Sequence, residues 1–72
     1  MEQKEICKKI GLKIRELRIE KNFSIQQFSD LLGIEYNNLI RIEKGRTNPT
    51  ISTLYKISQV LEVKLIILMD IE

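Results

Sequence analysis

Hydrophobic residues recur every three or four positions through most of the chain, which is the spacing of an α-helix with one buried face. Between Ser24 and Gly45 two such stripes follow each other closely: Ile25, Phe28 and Leu32, then Leu39 and Ile42. Gly33 lies between them, and glycine ends helices readily because it adopts a positive φ without steric cost. Ser29 supplies a small side chain where the two helices have to approach each other. The pattern predicts two short helices joined by a tight turn, a helix-turn-helix.

Both helices of this pair have recognisable end signals. Ser24 and Gln27 match a capping box, which starts a second helix that covers about residues 25–32. A third helix is predicted from Glu35 or Tyr36 to Lys44, with Gly45 as its C-cap.

Further helices are predicted on either side of the pair. The first covers about residues 4–21, and its core-facing stripe is formed by Ile6, Ile10, Ile14 and Leu17. Gly11 lies within this helix at a cost of about 1 kcal/mol relative to alanine, which predicts close packing against another element. A fourth helix follows the N-cap residue Thr50 and covers about residues 51–61. Its predicted inner stripe consists of Ile51, Leu54, Ile57, Ser58 and Leu61.

The sequence of the last ten residues, 63–72, is compatible with two secondary structures. Hydrophobic residues alternate there with other residues, and this period of two favours a β-strand. A strand without a partner in its own chain would pair with a second chain. A short fifth helix from Leu65 is the alternative, and it would expose Leu65, Ile66, Leu68 and Met69 at the end of the domain. Both structures predict a homodimer, and the expected dimerisation residues are Leu65, Ile67, Met69 and Ile71.

Composition narrows the function classes. A length of 72 residues fits one domain, here residues 1–72, with the helix-turn-helix at 24–45 and the dimerisation tail at 63–72. The chain has one cysteine and no histidine, so neither a disulfide nor a metal cluster is predicted, and no other cofactor is expected. No nucleophile–base pair or phosphate-binding loop indicates an enzyme. The longest apolar run is too short to cross a membrane, and the N-terminus lacks a signal-peptide pattern, so a cytoplasmic protein is expected.

The third helix has an unusual outer face. Steps of 100° per residue place Leu39 and Ile42 toward the core and five residues on the opposite side: Tyr36, Asn37, Ile40, Arg41 and Lys44. Amide, guanidinium and aliphatic groups suit the edges of bases in the major groove of DNA. The loop that follows offers Arg46 and Asn48 for phosphate contacts. An ordinary solvated helix face with mixed charge is the alternative.

Residues 10–61 resemble the lambda-repressor and Cro type of helix-turn-helix domain, the xenobiotic-response-element group of bacterial and phage regulators. The matching segments are IGLKIRELR, FSIQQFSDLLGI, NNLIRIEKGRTNPTISTLYKIS and SQVLEV, which follow one another in the family's order. The resemblance implies an all-α domain of five packed helices, or four helices and a C-terminal dimerising strand. It also implies that the third helix enters the major groove.

The resemblance assigns roles to particular residues. The implied base contacts are Tyr36, Asn37, Ile40 and Arg41. The implied phosphate contacts are Gln26 or Gln27, Asn38, Lys44, Arg46 and Asn48. An ion pair between Arg18 and Glu43 is also implied. Two positions depart from the family: Ile25 replaces a common glutamine, and Glu35 replaces the usual serine or threonine.

The sequence thus supports a regulator that binds double-stranded DNA as a homodimer on a near-palindromic operator. The alternatives are an antitoxin that neutralises a cognate protein partner and represses its own promoter, and a restriction-modification controller protein. No membrane partner is expected.

Overall fold

A computed structural model describes all of residues 1–72 and contains five α-helices and no β-strand. They are α1 (Gln3–Glu20), α2 (Ile25–Leu32), α3 (Tyr36–Glu43), α4 (Ile51–Leu61) and α5 (Leu65–Met69). The all-α fold predicted from the sequence is confirmed. None of the five helices combines the length and the apolar character that crossing a membrane requires.

Local hydrogen bonds and backbone angles explain where α2 begins and ends. The hydroxyl of Ser24 accepts a hydrogen bond from the backbone N–H of Gln27 at 3.1 Å, and the side-chain oxygen of Gln27 accepts one from the N–H of Ser24 at 2.9 Å. This reciprocal pair satisfies two backbone donors that the start of a helix leaves free, as the capping box predicted. Gly33 adopts φ +70° at the other end, a conformation that glycine reaches without strain.

The core is formed by ten buried hydrophobic residues contributed by all five helices: Ile10, Ile14, Phe28, Leu32, Leu39, Ile42, Leu54, Ile57, Leu61 and Leu68. Ser29 and Ser58 are also buried, and each hydroxyl donates to a backbone carbonyl one turn earlier in its own helix. No buried side-chain nitrogen or oxygen lacks a hydrogen-bond partner. The helices therefore enclose polar groups without leaving any of them unsatisfied.

The first and third helices approach each other backbone to backbone at Gly11. A Cβ added there would collide with the carbonyl oxygen of Ile42 and lie 2.6 Å from that of Glu43. Only a residue without a side chain fits this crossing, so the close packing predicted from Gly11 is confirmed. The contact fixes the C-terminal end of α3 against α1.

The C-terminal segment is a helix, so the strand favoured by the sequence pattern is wrong. Leu68 is fully buried against the core, whereas the predicted alternation grouped it with the polar residues Lys64, Asp70 and Glu72. The run from Leu65 to Met69 is apolar at every position, which leaves the alternation incomplete. A helix also satisfies backbone groups locally, because Ile67 N–H donates to the carbonyl of Lys64 at 2.9 Å.

One residue of the predicted inner stripe of α4 also lies elsewhere. Ile51 is 63% exposed, whereas Leu54, one turn later, is buried. Ile51 is the first residue of α4 and lies beyond the edge of the core.

Candidate nucleic-acid interface

The third helix is attached to the core by one side and presents the other to solvent. Leu39 and Ile42 are buried, while Tyr36, Asn37 and Arg41 are exposed. Ile40 is half-buried beside them, and Asn38 is half-buried at the flank. The four residues predicted to contact bases thus lie on the side of α3 away from the core. The side chains of Tyr36, Asn37 and Arg41, which carry hydrogen-bonding groups, are exposed to solvent.

The start of α2 carries two glutamines, and the side-chain amide of each makes one hydrogen bond within the chain. Gln26 donates to the carboxylate of Asp30 at 2.9 Å, and the side-chain oxygen of Gln27 belongs to the capping box. The amide nitrogen of Gln27 makes no hydrogen bond within the chain, so this residue has a donor available for phosphate. Gln26 is the weaker candidate, because Asp30 brings a negative charge next to it.

The loop after α3 carries the other predicted phosphate contacts. Lys44, Arg46 and Asn48 are all exposed. The backbone N–H of Arg46 donates to the carbonyl of Arg41 at 2.9 Å, and Gly45 adopts φ +72° to allow this turn. The loop is therefore held against the end of α3, and its cations lie next to the polar face of that helix.

A buried ion pair joins α1 to α3. The Nε of Arg18 donates to Glu43 at 2.7 Å, and Nη2 donates to the other carboxylate oxygen at 3.2 Å. Nη1 donates to the carbonyl of Phe23 at 2.8 Å, so the same guanidinium also binds the turn before α2. Two parallel hydrogen bonds between arginine and carboxylate fix orientation as well as distance. The structure thus contains the Arg18–Glu43 pair that the family resemblance implied.

A basic groove of about 1000 Å³ runs along α1 beside the C-terminal half of α3. It brings together Ile40, Lys44 and Arg46 of the predicted interface with the Arg18–Glu43 pair. The other predicted contact residues do not line it. Six of its lining residues are basic and one is acidic: Lys4, Lys8, Arg15, Arg18, Lys44 and Arg46 against Glu43.

Sequence reasoning did not assign three of these cations. Lys4, Lys8 and Arg15 come from α1 and line the groove opposite α3. Their separations of four and seven residues are a helical spacing, and that spacing was the available signal.

The predicted dimerisation residues are partly accessible. Ile67 is 41% and Met69 39% exposed, whereas Leu65 and Ile71 are half-buried. Ile66, which was left out of that set, is the most accessible residue of the helix at 68%. Leu68, which the helical alternative placed at the surface, belongs to the core instead. The accessible apolar surface of α5 thus consists of Ile66, Ile67 and Met69.

A capped second helix, a glycine turn, and a third helix with an exposed polar face define a helix-turn-helix domain. The comparison with protein families agrees with this class. The chain belongs to the helix-turn-helix family, because the family model described as "Helix-turn-helix" matches residues 14–68.

Named relatives are transcriptional regulators rather than enzymes. The HTH-type transcriptional regulator SinR of Bacillus subtilis is 37% identical over 62 residues, which cover 85% of this chain and 56% of SinR. The chain thus spans about half the length of this curated relative. The crystal structure of SinR, the master regulator for biofilm formation, in complex with DNA matches with a TM-score of 0.79 at 37% identity. This match covers 85% of this chain and 98% of that one.

A second solved structure is similar over nearly its whole length. The restriction-modification controller protein C.AhdI from Aeromonas hydrophila matches with a TM-score of 0.83 at 26% identity. The match covers 86% of this chain and 94% of C.AhdI.

Proposed function

We propose that this protein is a sequence-specific DNA-binding transcriptional regulator that inserts α3 into the major groove. The observation that carries the proposal is the exposed outer face of α3, which presents a phenol, an amide and a guanidinium while Leu39 and Ile42 anchor the opposite side. Asparagine suits adenine and arginine suits guanine in that groove. SinR, which has a similar domain, has been solved in complex with DNA, and this supports DNA binding by the present chain. The proposal places the protein in the cytoplasm with its DNA.

The proposed base contacts are Tyr36, Asn37, Ile40 and Arg41. The proposed phosphate contacts are Gln26 or Gln27, Asn38, Lys44, Arg46 and Asn48. Contacts to phosphate position the protein on the duplex without selecting a sequence. They also make the affinity fall as salt is added, because bound cations displace counterions from the DNA.

We further propose that the protein acts as a homodimer through α5. Its apolar residues Ile66, Ile67 and Met69 face solvent in the monomer, and a second copy would cover them. A two-fold symmetric dimer binds a near-palindrome whose half-sites lie about one helical turn, roughly 34 Å, apart.

Selection from a pool of random duplexes, followed by binding measurements on the enriched sequences, tests the proposal. A near-palindrome with that half-site spacing is the expected product. Failure to enrich any sequence would contradict sequence-specific binding, and enrichment of an isolated half-site would contradict the dimer.

A restriction-modification controller is the particular role favoured by the likeness to C.AhdI. An antitoxin is the other candidate, because the exposed residues of α5 could equally bind a cognate protein. Sedimentation of the purified full chain separates the two. A dimer that binds its operator unaided supports the controller, whereas a monomer that gains affinity when another protein is added supports the antitoxin.

A further inference from the structure

We propose that α1 carries a second phosphate-binding row, formed by Lys4, Lys8 and Arg15. This α1 row would contact the DNA backbone beside the base pairs that α3 contacts. The inference rests on the proposed DNA-binding function and extends the interface to α1.

The three residues share one face of α1. At about 100° per residue, their side chains lie within about 40° of one another around the helix axis. Lys4 and Arg15 are separated by about 16 Å along that axis, at about 1.5 Å per residue. Phosphates follow one another about every 3.4 Å of axis along one DNA strand, so the row is long enough to reach several of them.

The row is fixed next to the loop that carries Arg46. A Cβ added to Gly45 would lie 2.5 Å from the Cα of Lys8 and 2.6 Å from its backbone nitrogen, so this loop packs directly on α1 at Lys8. Lys4 also shares a small surface hollow with Arg46 and Asn48. The cations of α1 therefore continue the phosphate contacts proposed for the loop.

The charge of the groove is almost entirely uncompensated. Arg18–Glu43 is the only ion pair in the structure, and it neutralises the single carboxylate of the groove. Lys4, Lys8 and Arg15 have no carboxylate within 4.0 Å, although α1 also carries acidic residues. A concave surface lined by one sign of charge concentrates ligands of the opposite sign.

Continuity with α3 favours DNA over an acidic protein as the ligand. Ile40 and Lys44 of α3 line the same groove as the α1 row. A duplex docked on α3 would therefore pass close to α1. Lys4 and Lys8 lie before residue 14, where the family match begins, so membership of the family does not assign them this role.

A matched pair of double variants of the full chain tests the inference. Lys4→Gln/Lys8→Gln removes two charges from the row. Lys9→Gln/Lys13→Gln removes two charges at the same spacing from the same helix, but from residues that do not line the groove. Glutamine keeps most of the aliphatic stem, and thermal melts followed by circular dichroism check that both variants fold.

The probe is a random-sequence duplex of about 40 base pairs, titrated between about 50 and 200 mM salt. We expect the first variant to lower the slope of log affinity against log salt by about two and to weaken binding about tenfold near physiological salt. The control variant should keep the wild-type slope. An equal change in both variants, or no change in the first, overturns the α1 row.

Failure of this inference is distinguishable from failure of the proposed function. If the wild-type protein binds DNA with a steep salt dependence and Lys4→Gln/Lys8→Gln binds identically, only the α1 row is refuted. If the wild-type protein does not bind DNA at all, both the proposed DNA-binding function and the α1 row are refuted. Binding of poly-glutamate that this variant alone abolishes, with unchanged DNA binding, would assign the groove to an acidic protein and overturn the inference.

Discussion

The third and fifth helices are both short and surface-lying, yet their outer faces differ completely. Leu39 and Ile42 anchor α3, and Leu68 anchors α5. The outer face of α3 is mainly polar, whereas α5 exposes Ile66, Ile67 and Met69. Polar groups on a rigid helix suit base edges, and apolar groups suit another protein surface. Similar attachment to one core thus gives two helices suited to different partners.

The two helices also differ in how firmly they are fixed. The position of α3 is determined by two core residues, the Gly11 contact and the Arg18–Glu43 pair. The fifth helix has five residues and one fully buried side chain. A helix that positions base contacts needs a single orientation, whereas α5 would gain further support from a second copy.

Glu43→Ala is expected to have the largest effect, because it removes the ion pair that joins α3 to α1. Removing the carboxylate leaves the buried guanidinium of Arg18 without its partner, and breaking such a pair costs about 3–5 kcal/mol in the free energy of unfolding. Urea denaturation measures the loss. Glu16→Ala, at an exposed position of α1 without an ion pair, should change stability by less than about 0.5 kcal/mol. Equal effects of the two substitutions would show that the pair does not hold α3.

Leu68→Ala is the corresponding test for α5. Truncation of a buried leucine costs about 2–5 kcal/mol, because apolar contacts are lost and a cavity remains. Denaturation at one fixed protein concentration compares it with Leu31→Ala, which removes an exposed leucine side chain of α2. If the two variants lost the same stability, α5 would not be anchored through Leu68. The same burial means that deleting residues 63–72 would damage the core, so substitutions are the better way to study dimerisation.

The difference in anchoring also explains which elements were predictable from sequence. The bounds of α2 followed from local signals that do not depend on the rest of the chain: Ser24 and Gln27 at its start and Gly33 at its end. The fifth helix has no such signal, and its apolar run is compatible with the residue spacing of a helix as well as with that of a strand. Its structure was decided by the tertiary contact of Leu68, which the linear pattern does not contain.

The candidate interface, like the fold, was predictable in part. The outer face of α3 follows from helical geometry once Leu39 and Ile42 are assigned to the core. The neighbourhood of Lys8 and Arg46 was not predictable, because it depends on how the loop at Gly45 packs on α1. The family resemblance supplied the partner of Arg18, which composition and periodicity do not identify.

Ile66→Glu tests the apolar face of α5 directly. Ile66 is exposed, so the substitution should leave the monomer folded while placing a charge in the proposed dimer interface. We expect the dissociation free energy of the dimer to fall by about 2 kcal/mol, the size typical of a central interface residue. Sedimentation over a range of concentrations measures it, with Leu31→Glu on α2 as a control of similar exposure. If only the control lost self-association, the dimer interface would lie on α2 and not on α5.

Arg41→Ala and Arg46→Ala test the polar face of α3 and the loop that follows it. Arg41 lies on the proposed base-contact face, so its loss should cost about 1–3 kcal/mol on the selected operator and relax the preference at one base position. Arg46 lies in the loop, so its loss should weaken binding to all sequences alike and lower the salt slope by about one. Competition between operator and random duplexes separates the two, because only Arg41→Ala should change the ratio of affinities. If both variants left that ratio unchanged, Arg41 would contact phosphate, and specificity would have to come from Tyr36 and Asn37.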